Sequence, residues 1–478
     1  MKNDVNVSPL CNVRNNCQPS LGQVTIDILP DDAIIEVFSF YVDLNAQGEN
    51  AWQTLVHVCR RWRYIVFRSP RRLDLRLVCT PRTAVRKLLD VWPTMPIIIR
   101  NSGDATLLAE GADNVMAALE HNHRVCQIDL FDVPNSLLER FAVLPGLLKP
   151  FPVLRDLELW TNDPSAQALP ETFLSGCAPR LRSLYLNGIP FPALPRLLLS
   201  ASGLVELTIQ DIPDSGYILP ETIAACLAAL TRLKSLELDF RSPQSRPDQA
   251  SRRPPPPTRA VLPALTSLSF FGVSEYLEDI VARINCPLLD YVWITFFFQP
   301  VFDTPQLHQF ISRTEMLNSR NLAEVIFYDH SVTVTFYSQK RTDRPGLVLR
   351  IPCTWSDSQL PSMAQVCRSS FPPFSTLEHL EIHNHRNWQD HIVGNGTHWL
   401  ELLRPYTAVK NLFLRKGIPV HVAPALQELA EGRVTGVLPA LQNLFVAGLE
   451  PRGSVQGTIR QFVGARLLSG HPVTLRHL

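Results

Sequence analysis

The 478-residue chain carries 45 Lys and Arg against 44 Asp and Glu, so no global field draws it to nucleic acid or an anionic membrane. Hydrophobic residues make up 45%, which excludes a wholly disordered chain. The apolar stretch at 291–302 falls far short of the roughly 20 residues of a membrane span. The N-terminus lacks a signal-peptide core, and ten cysteines without C-x-x-C spacing indicate reduced thiols of an intracellular protein in the cytoplasm or nucleus.

Two amphipathic helices are predicted near the N-terminus. Residues 1–22 are polar, lack periodicity and are interpreted as a disordered tail. A Pro followed by two acidic residues at 30–32 suits the first turn of a helix. Apolar residues then recur at helical spacing in two stripes, Ile34, Val37, Phe38 and Tyr41, and Leu55, Val58, Cys59 and Trp62. We therefore predict helices at about 30–42 and 50–67, and a linker or capping region at 71–124.

One phrase, apolar-x-x-apolar-x-apolar, recurs eleven times between residue 125 and the C-terminus. Its first positions lie 23 to 33 residues apart, except for one interval of 55, close to the leucine-rich-repeat range of roughly 20–29. The phrases are Val125/Ile128/Leu130, Leu154/Leu157/Leu159, Leu181/Leu184/Leu186, Leu204/Leu207/Ile209, Leu233/Leu236/Leu238, Leu265/Leu268/Phe270, Leu289/Val292/Ile294, Leu322/Val325/Phe327, Leu377/Leu380/Ile382, Val409/Leu412/Leu414 and Leu441/Leu444/Val446.

Each phrase predicts one β-strand with an apolar side and an x side. A single unit cannot bury its apolar side, so stacked units share a core and leave the x side open. Each chain segment must cross over before the next strand begins, which predicts parallel strands. The predicted fold class is α/β: a helical N-terminal domain, then a leucine-rich-repeat solenoid at 125–478 with a curved, mostly parallel sheet and every apolar residue of the phrases buried.

Two segments interrupt the repeats. Residues 241–260 contain four consecutive prolines and five arginines, and are predicted to form a disordered loop. The 55-residue interval holds two alternating stretches, 332–337 and 347–351, which predict an inserted pair of strands at about 332–351.

Residues 24–70 resemble an F-box. The resemblance rests on the Leu-Pro dipeptide that opens the first helix, in Leu29-Pro30-Asp-Asp-Ala-Ile-Ile-Glu-Val-Phe38, and on the second half, Val58-Cys59-Arg60-Arg61-Trp62-Arg63. The break between these halves is long, as is common in fungal-type members, and F-box proteins often carry an irregular leucine-rich-repeat domain. The resemblance implies a substrate-recognition subunit of a Skp–cullin–F-box ubiquitin ligase, which binds the Skp-type adaptor of the cullin core and presents a protein substrate without doing bond chemistry itself.

Two sets of contact residues are predicted. Those for the adaptor are Leu29, Pro30, Ile34, Phe38, Leu55, Val58 and Trp62; the alternative is that they only pack against one another and the first repeat. Those for the substrate are x positions of the sheet, namely Glu158, Trp160, Tyr185, Glu206, Glu237, Asp239, Tyr291 and Trp293; the alternative is an ordinary solvated sheet face. Exposed aromatics among charges are typical of binding hot spots, and the acidic character favours a partner with a basic patch.

No metal site and no cofactor are predicted. His379, His383, His385, His391 and His398 form a histidine-rich segment, but no cysteine is close in sequence and no Asp or Glu has an obvious ligand offset in a helix. The chain also lacks the motifs of nucleophilic hydrolases, nucleotide-binding loops and zinc proteases. We therefore predict a non-catalytic substrate receptor. The alternatives are a repeat-type interaction scaffold not coupled to ubiquitination, and an enzyme without a recognisable motif.

Overall fold

A computed structural model describes most of the chain. It covers residues 26–44, 51–69, 72–73, 75–91, 95–101, 109–243, 258–299, 301–338, 341–353, 358–372, 374–385, 396–415, 417–432, 436–447 and 454–478. The chain divides into two units, Met1–Val78 and Cys79–Leu478. The cysteines in the described part are all free thiols, and no helix there combines the length and apolarity needed to cross a membrane.

The described residues of the first unit form three α-helices after a 3-10 turn at Ile26–Ile28: α1 (Asp31–Leu44), α2 (Ala51–Val58) and α3 (Arg60–Arg68). The prediction of one continuous second helix at 50–67 is therefore wrong. It divides at Cys59, whose backbone is extended and whose Sγ accepts a hydrogen bond from the Trp62 N–H, so that Cys59 caps α3. The predicted tail at 1–22 lies outside the described residues.

Acidic residues in the first turn of α1 connect that helix to the rest of the first unit. The guanidinium of Arg61 donates to Asp31 Oδ1 at 2.8 Å and to the Leu29 carbonyl at 2.6 Å. Arg72 pairs with Asp32 at 3.3 Å and also with Glu36. These pairs are largely exposed, so each adds little to the free energy of unfolding.

The second unit is built around one large, mostly parallel sheet, and this part of the predicted fold class is confirmed. Strand β1 (Leu77–Cys79) lies at the boundary between the units. The later strands are β2 (Ile97–Arg100), β3 (Val125–Leu130), β4 (Asp156–Trp160), β5 (Ser183–Asn187), β6 (Glu206–Ile212), β7 (Ser235–Phe240), β8 (Ala260–Val261), β9 (Ser267–Gly272), β10 (Ile284–Asn285), β11 (Tyr291–Phe296), β12 (Leu322–Tyr328), β13 (Ser331–Ser338), β14 (Arg341–Pro352), β15 (His379–Asn384), β16 (Asn411–Leu414), β17 (Asn443–Val446) and β18 (Thr474–His477).

The sheet order from β2 onward is β2-β3-β4-β5-β6-β7-β9-β11-β14-β13-β12-β15-β16-β17-β18. The crossover segments carry most of the helices: α4 (Val85–Val91), α5 (Ala109–Leu119), α6 (Asn135–Val143), α7 (Leu194–Ser200), α8 (Pro220–Ala229), α9 (Ser274–Val281), α10 (Pro305–Arg313), α11 (Glu315–Asn318), α12 (Gln359–Ser370), α13 (Gly396–Leu403), α14 (Ile418–Glu431) and α15 (Ser454–Leu468). Helices α7, α8, α9 and α10 contact one another in chain order, as their strands do.

The apolar residues of the repeated phrase form the core of the second unit. All of them are buried except Leu322. In most repeats the first apolar residue lies before the strand begins, so its side chain is buried in the core without having to follow the alternation of the strand. Strand β12 already starts at Leu322, three positions before Val325, and side chains an odd number of positions apart in a strand lie on opposite faces. The prediction that every such residue is buried is wrong at this one position.

The inserted stretches at 332–337 and 347–351 lie in β13 and β14. Strand β13 pairs antiparallel with both β12 and β14, whereas β14 pairs parallel with β11. Two reversals restore the original direction, so the parallel sheet continues on both sides of the hairpin.

Strand residues occur in two segments that the sequence analysis places outside the repeat strands. Strand β2 pairs with β3, so the sheet extends into the predicted capping region at 71–124. In the predicted loop at 241–260, residues 244–257 lie outside the described residues. The ends of that loop are held, because Arg241 bonds Asp211 and Ala260 belongs to β8, which pairs parallel with β10.

Candidate interaction surfaces

The seven predicted adaptor contacts occupy three different environments. Ile34, Phe38 and Leu55 are buried, and the Phe38 ring meets the Trp62 ring edge-on at 4.7 Å. Leu29 and Trp62 are half-buried, whereas Pro30 and Val58 are exposed. Of the seven, the last two are therefore the most accessible to a partner, and the buried three hold the helices in place.

Further apolar side chains of these helices are exposed, and the sequence reasoning did not select them as contacts. Val37 is 48% exposed and Phe40 is 66% exposed, one helical turn apart on α1. Val58 at the end of α2 is 56% exposed. Val37 belongs to the apolar stripe of the first predicted helix, and helical spacing alone does not say which side of such a stripe meets the core.

On the sheet, the x positions of neighbouring strands align in continuous rows. In the central row the partners run, strand by strand, Arg100, Asp129, Glu158, Tyr185, Thr208, Glu237, Ser269, Trp293, Val348, Thr335, Glu324, Glu381, Phe413, Phe445 and Arg476. We call this side the open face, since most of its side chains are half-buried while the opposite side is core.

All eight predicted substrate contacts lie on the open face. Glu158, Tyr185, Glu237 and Trp293 belong to the central row. Trp160 and Asp239 lie two residues further along their strands, and Glu206 and Tyr291 lie two residues before. Glu206 is exposed and the other seven are half-buried. Their grouping on one face agrees with the alternation from which they were chosen.

A chain of hydrogen bonds links the middle of this group. Tyr185 Oη donates to Gln210 Oε1 at 2.7 Å, and Gln210 Nε2 donates to Glu237 Oε1 at 2.7 Å. Asn187 Nδ2 also donates to Gln210 Oε1, at 3.2 Å. These bonds fix Glu237 and the Tyr185 ring in place without neutralising the carboxylate.

The carboxyl groups of β4 and β7 lie in an acidic environment. Burial and the neighbouring Asp129 raise the pKa of Glu158, although Arg100 opposes this. Burial, followed by the charges of Asp211 and Glu237, raises the pKa of Asp239 from 3.8 to about 7. Among the described residues Asp239 forms no ion pair, whereas Asp211 receives a two-bond clamp from Arg241 at 3.0 and 2.7 Å.

The aromatic members of the group are held by specific contacts. The Trp160 ring meets the Phe131 ring edge-on at 6.1 Å, and Trp293 Nε1 donates to Thr295 Oγ1 at 3.0 Å. Burial, with the charge of Glu237, raises the pKa of Tyr291. Large rings that are oriented and half-exposed suit binding to a protein partner.

The inserted hairpin divides the open face into two parts. Side chains on both sides of β13 and β14 are buried there, including Val348 at 2% and Thr335 at 6% exposure in the central row. We call the strands β3 to β7, β9 and β11 the first part, and the strands β12 and β15 to β18 the second part. At the central row, therefore, the hairpin presents little surface to a partner.

The second part contains a group of potential metal ligands that the sequence reasoning missed. Ligand atoms of Glu324, Glu381 and His383 lie within 4.8 Å of one another. The carboxylates come from the same strand as His383 and from the adjacent strand, so ligand offsets typical of a helix do not reveal them. Each ligand already has a protein partner: His383 Nε2 lies 2.8 Å from Glu324 Oε1, and Arg415 Nε lies 2.8 Å from Glu381 Oε1. The group is therefore satisfied as an ion-pair network.

The remaining histidines have separate environments. His379 Nδ1 lies 3.4 Å from Asn411 Nδ2, and His385 lies against the Tyr328 ring at 4.8 Å. His398 is on α13, and His391 lies outside the described residues. Among the described histidines of this segment, only His383 lies in a cluster with carboxylates.

No protein-family model matches the chain, and a search of curated proteins found no match.

Proposed function

We propose that this protein is the substrate-recognition subunit of a Skp–cullin–F-box ubiquitin ligase. In this proposal the N-terminal helices are an F-box that binds the Skp-type adaptor. The repeats form a curved solenoid whose open face captures a protein substrate. The protein itself is non-catalytic, because holding two partners close together is sufficient for transfer by the rest of the ligase.

The exposed apolar surface of α1 and α2 carries this proposal. Val37, Phe40 and Val58 are each about half exposed or more. Water contact of such side chains is unfavourable by about 25 cal/mol per Å². Helices from an adaptor would remove this surface from water, as the F-box resemblance implies.

The experiment is co-purification of the full chain with a recombinant Skp-type adaptor and the cullin N-terminal region. The test variant is Phe40→Asp with Val58→Asp. We expect its adaptor Kd to rise at least about 100-fold, since each buried apolar side chain contributes about 1.5–3 kcal/mol. The matched control is Val143→Asp with Leu199→Asp, two apolar residues of the second unit that are 75% and 58% exposed.

Melting curves of both variants must match the wild type, so that loss of binding reports the surface and not unfolding. Wild-type adaptor binding by the Phe40/Val58 variant would refute the assigned surface. If the wild-type chain itself captures no adaptor, the alternative gains support, namely an interaction scaffold that is not coupled to ubiquitination.

A further inference from the structure

Four arginines surround a cleft at the edge of the sheet where strands β4 to β7 begin. The cleft has a volume of about 300 Å³ and is lined by Arg155, Pro179, Arg180, Arg182, Gly203 and Arg232. We call it the arginine cleft. None of its lining residues belongs to the predicted adaptor or substrate contacts.

The repeat geometry brings these arginines together. Arg155 and Arg182 hold equivalent positions, each one residue before its strand, and the Arg182 N–H donates to the Arg155 carbonyl at 2.7 Å. The next rung continues with the Val205 N–H donating to the Arg182 carbonyl at 2.8 Å. Neighbouring strands are only about 4.8 Å apart, so side chains from consecutive rungs share one space. Arg180 and Arg232 come from the turns that lead into β5 and β7.

The positive charge of this cleft has no paired carboxylate among the described residues. All four arginines are exposed, and none forms an ion pair with any carboxylate in the described ranges. No acidic residue lines the cleft, although the exposed Glu206 begins the nearby strand β6. Four like charges held around one volume repel each other, and an anion in the cleft would remove that repulsion.

We infer that the arginine cleft binds a compact, multiply charged phosphate ester or polyphosphate. The planar guanidinium fork matches two oxygens of a phosphate group, and four forks require more acceptor oxygens than one carboxylate has. A volume of about 300 Å³ lies at the small end of ligand pockets. The lining has no aromatic side chain on which a base could stack, which disfavours single-stranded nucleic acid as the ligand.

This site does not depend on the proposed ligase function, because it involves neither the N-terminal helices nor the open-face contacts. A bound anion would connect the leading edges of consecutive repeats. It would therefore stabilise the folded chain by a free energy that grows with the logarithm of the anion concentration above its Kd.

Calorimetric titration of the full chain with sodium tripolyphosphate tests the inference directly. The test variant is Arg155→Gln with Arg182→Gln. The matched control is Arg82→Gln with Arg404→Gln, which removes the same charge from exposed arginines that form no ion pair among the described residues. Losing a charged hydrogen-bonding pair weakens binding about 10-fold per arginine, so we expect roughly a 100-fold higher Kd for the test variant and an unchanged Kd for the control.

A second arm separates two sources of the same chemistry. Sedimentation with phosphatidylcholine vesicles containing phosphatidic acid reports whether the phosphate belongs to a lipid headgroup. Retention that the test variant loses assigns a lipid source, and tripolyphosphate binding without retention assigns a free ligand. The inference is overturned if the wild type binds neither probe, if both double variants lose binding equally, or if only a long polyanion such as heparin binds.

Discussion

Truncation of Leu236 tests the inside–outside assignment of the sheet. Leu236 is fully buried in β7, in register with the buried Leu207 and Leu268 of the two flanking strands. Leu236→Ala removes buried methyl groups and leaves a cavity in a position where neighbours on both sides are fixed by strand pairing. We expect a loss of about 3 kcal/mol in the free energy of unfolding. Urea unfolding of the full chain, followed by tryptophan fluorescence, measures this as a lower midpoint with unchanged slope.

Two controls isolate the buried position. Leu199→Ala makes the same substitution at a leucine that is 58% exposed on α7, and should cost less than about 0.5 kcal/mol. Glu237→Ala changes the next residue of the same strand, on the open face. It loses the 2.7 Å bond from Gln210 but also removes a charge beside Asp239, so the net cost should stay below about 1 kcal/mol. Equal losses for Leu236→Ala and Glu237→Ala would refute the alternation on which both faces were assigned.

Two further predictions concern pH. Between about pH 4 and 7 the folded chain keeps a proton on Asp239 that the unfolded chain has lost, so wild-type stability falls as the pH rises through this window. Asp239→Asn should remove that fall and raise the Tm at pH 8; an unchanged Tm-against-pH profile would contradict the raised pKa. The hydrogen bond between Glu324 and His383 lowers the pKa of Glu324 below 4.5 and raises that of His383 above 6.5. The stabilisation from His383 is lost as the pH rises through its folded pKa, and that from Glu324 is lost as the pH falls through its folded pKa. Glu324→Gln should therefore lower the Tm most between about pH 4.5 and 6.5, and a constant loss at all pH values would contradict the ion pair.

The period of two identifies strands well because it records burial directly. Leu184 and Leu186 of β5 are buried while Tyr185 between them is half-buried, and the same pattern recurs in most strands of the sheet. Since one repeated phrase marks each of eleven strands, the parallel order of these strands also follows from the chain's need to cross over before the next phrase. The open-face residues could therefore be chosen from sequence.

Contacts between repeats could not be predicted in the same way. The group of Glu324, Glu381 and His383 joins residues 59 positions apart, and the register between β12 and β15 depends on the hairpin inserted beside β12. The arginine cleft likewise depends on turns that place Arg180 and Arg232 beside one volume. The exposed surface at Phe40 was missed for a different reason: helical spacing finds an apolar stripe, but it does not say how much of the stripe a short unit covers.

The two parts of the open face differ in how their charges are satisfied, and this difference indicates which part is available to a partner. In the second part, Glu324 is paired with His383 and Glu381 with Arg415, so a cationic partner would have to displace an existing ion pair. In the first part, Glu237 accepts only a neutral amide and Asp239 has no cation among the described residues. A cationic side chain placed there forms an ion pair without breaking an existing one. It also makes the ionisation of Asp239 more favourable, because a nearby positive charge stabilises the carboxylate. For a substrate with a basic segment, the favoured site is therefore the first part, beside the half-exposed rings of the same strands.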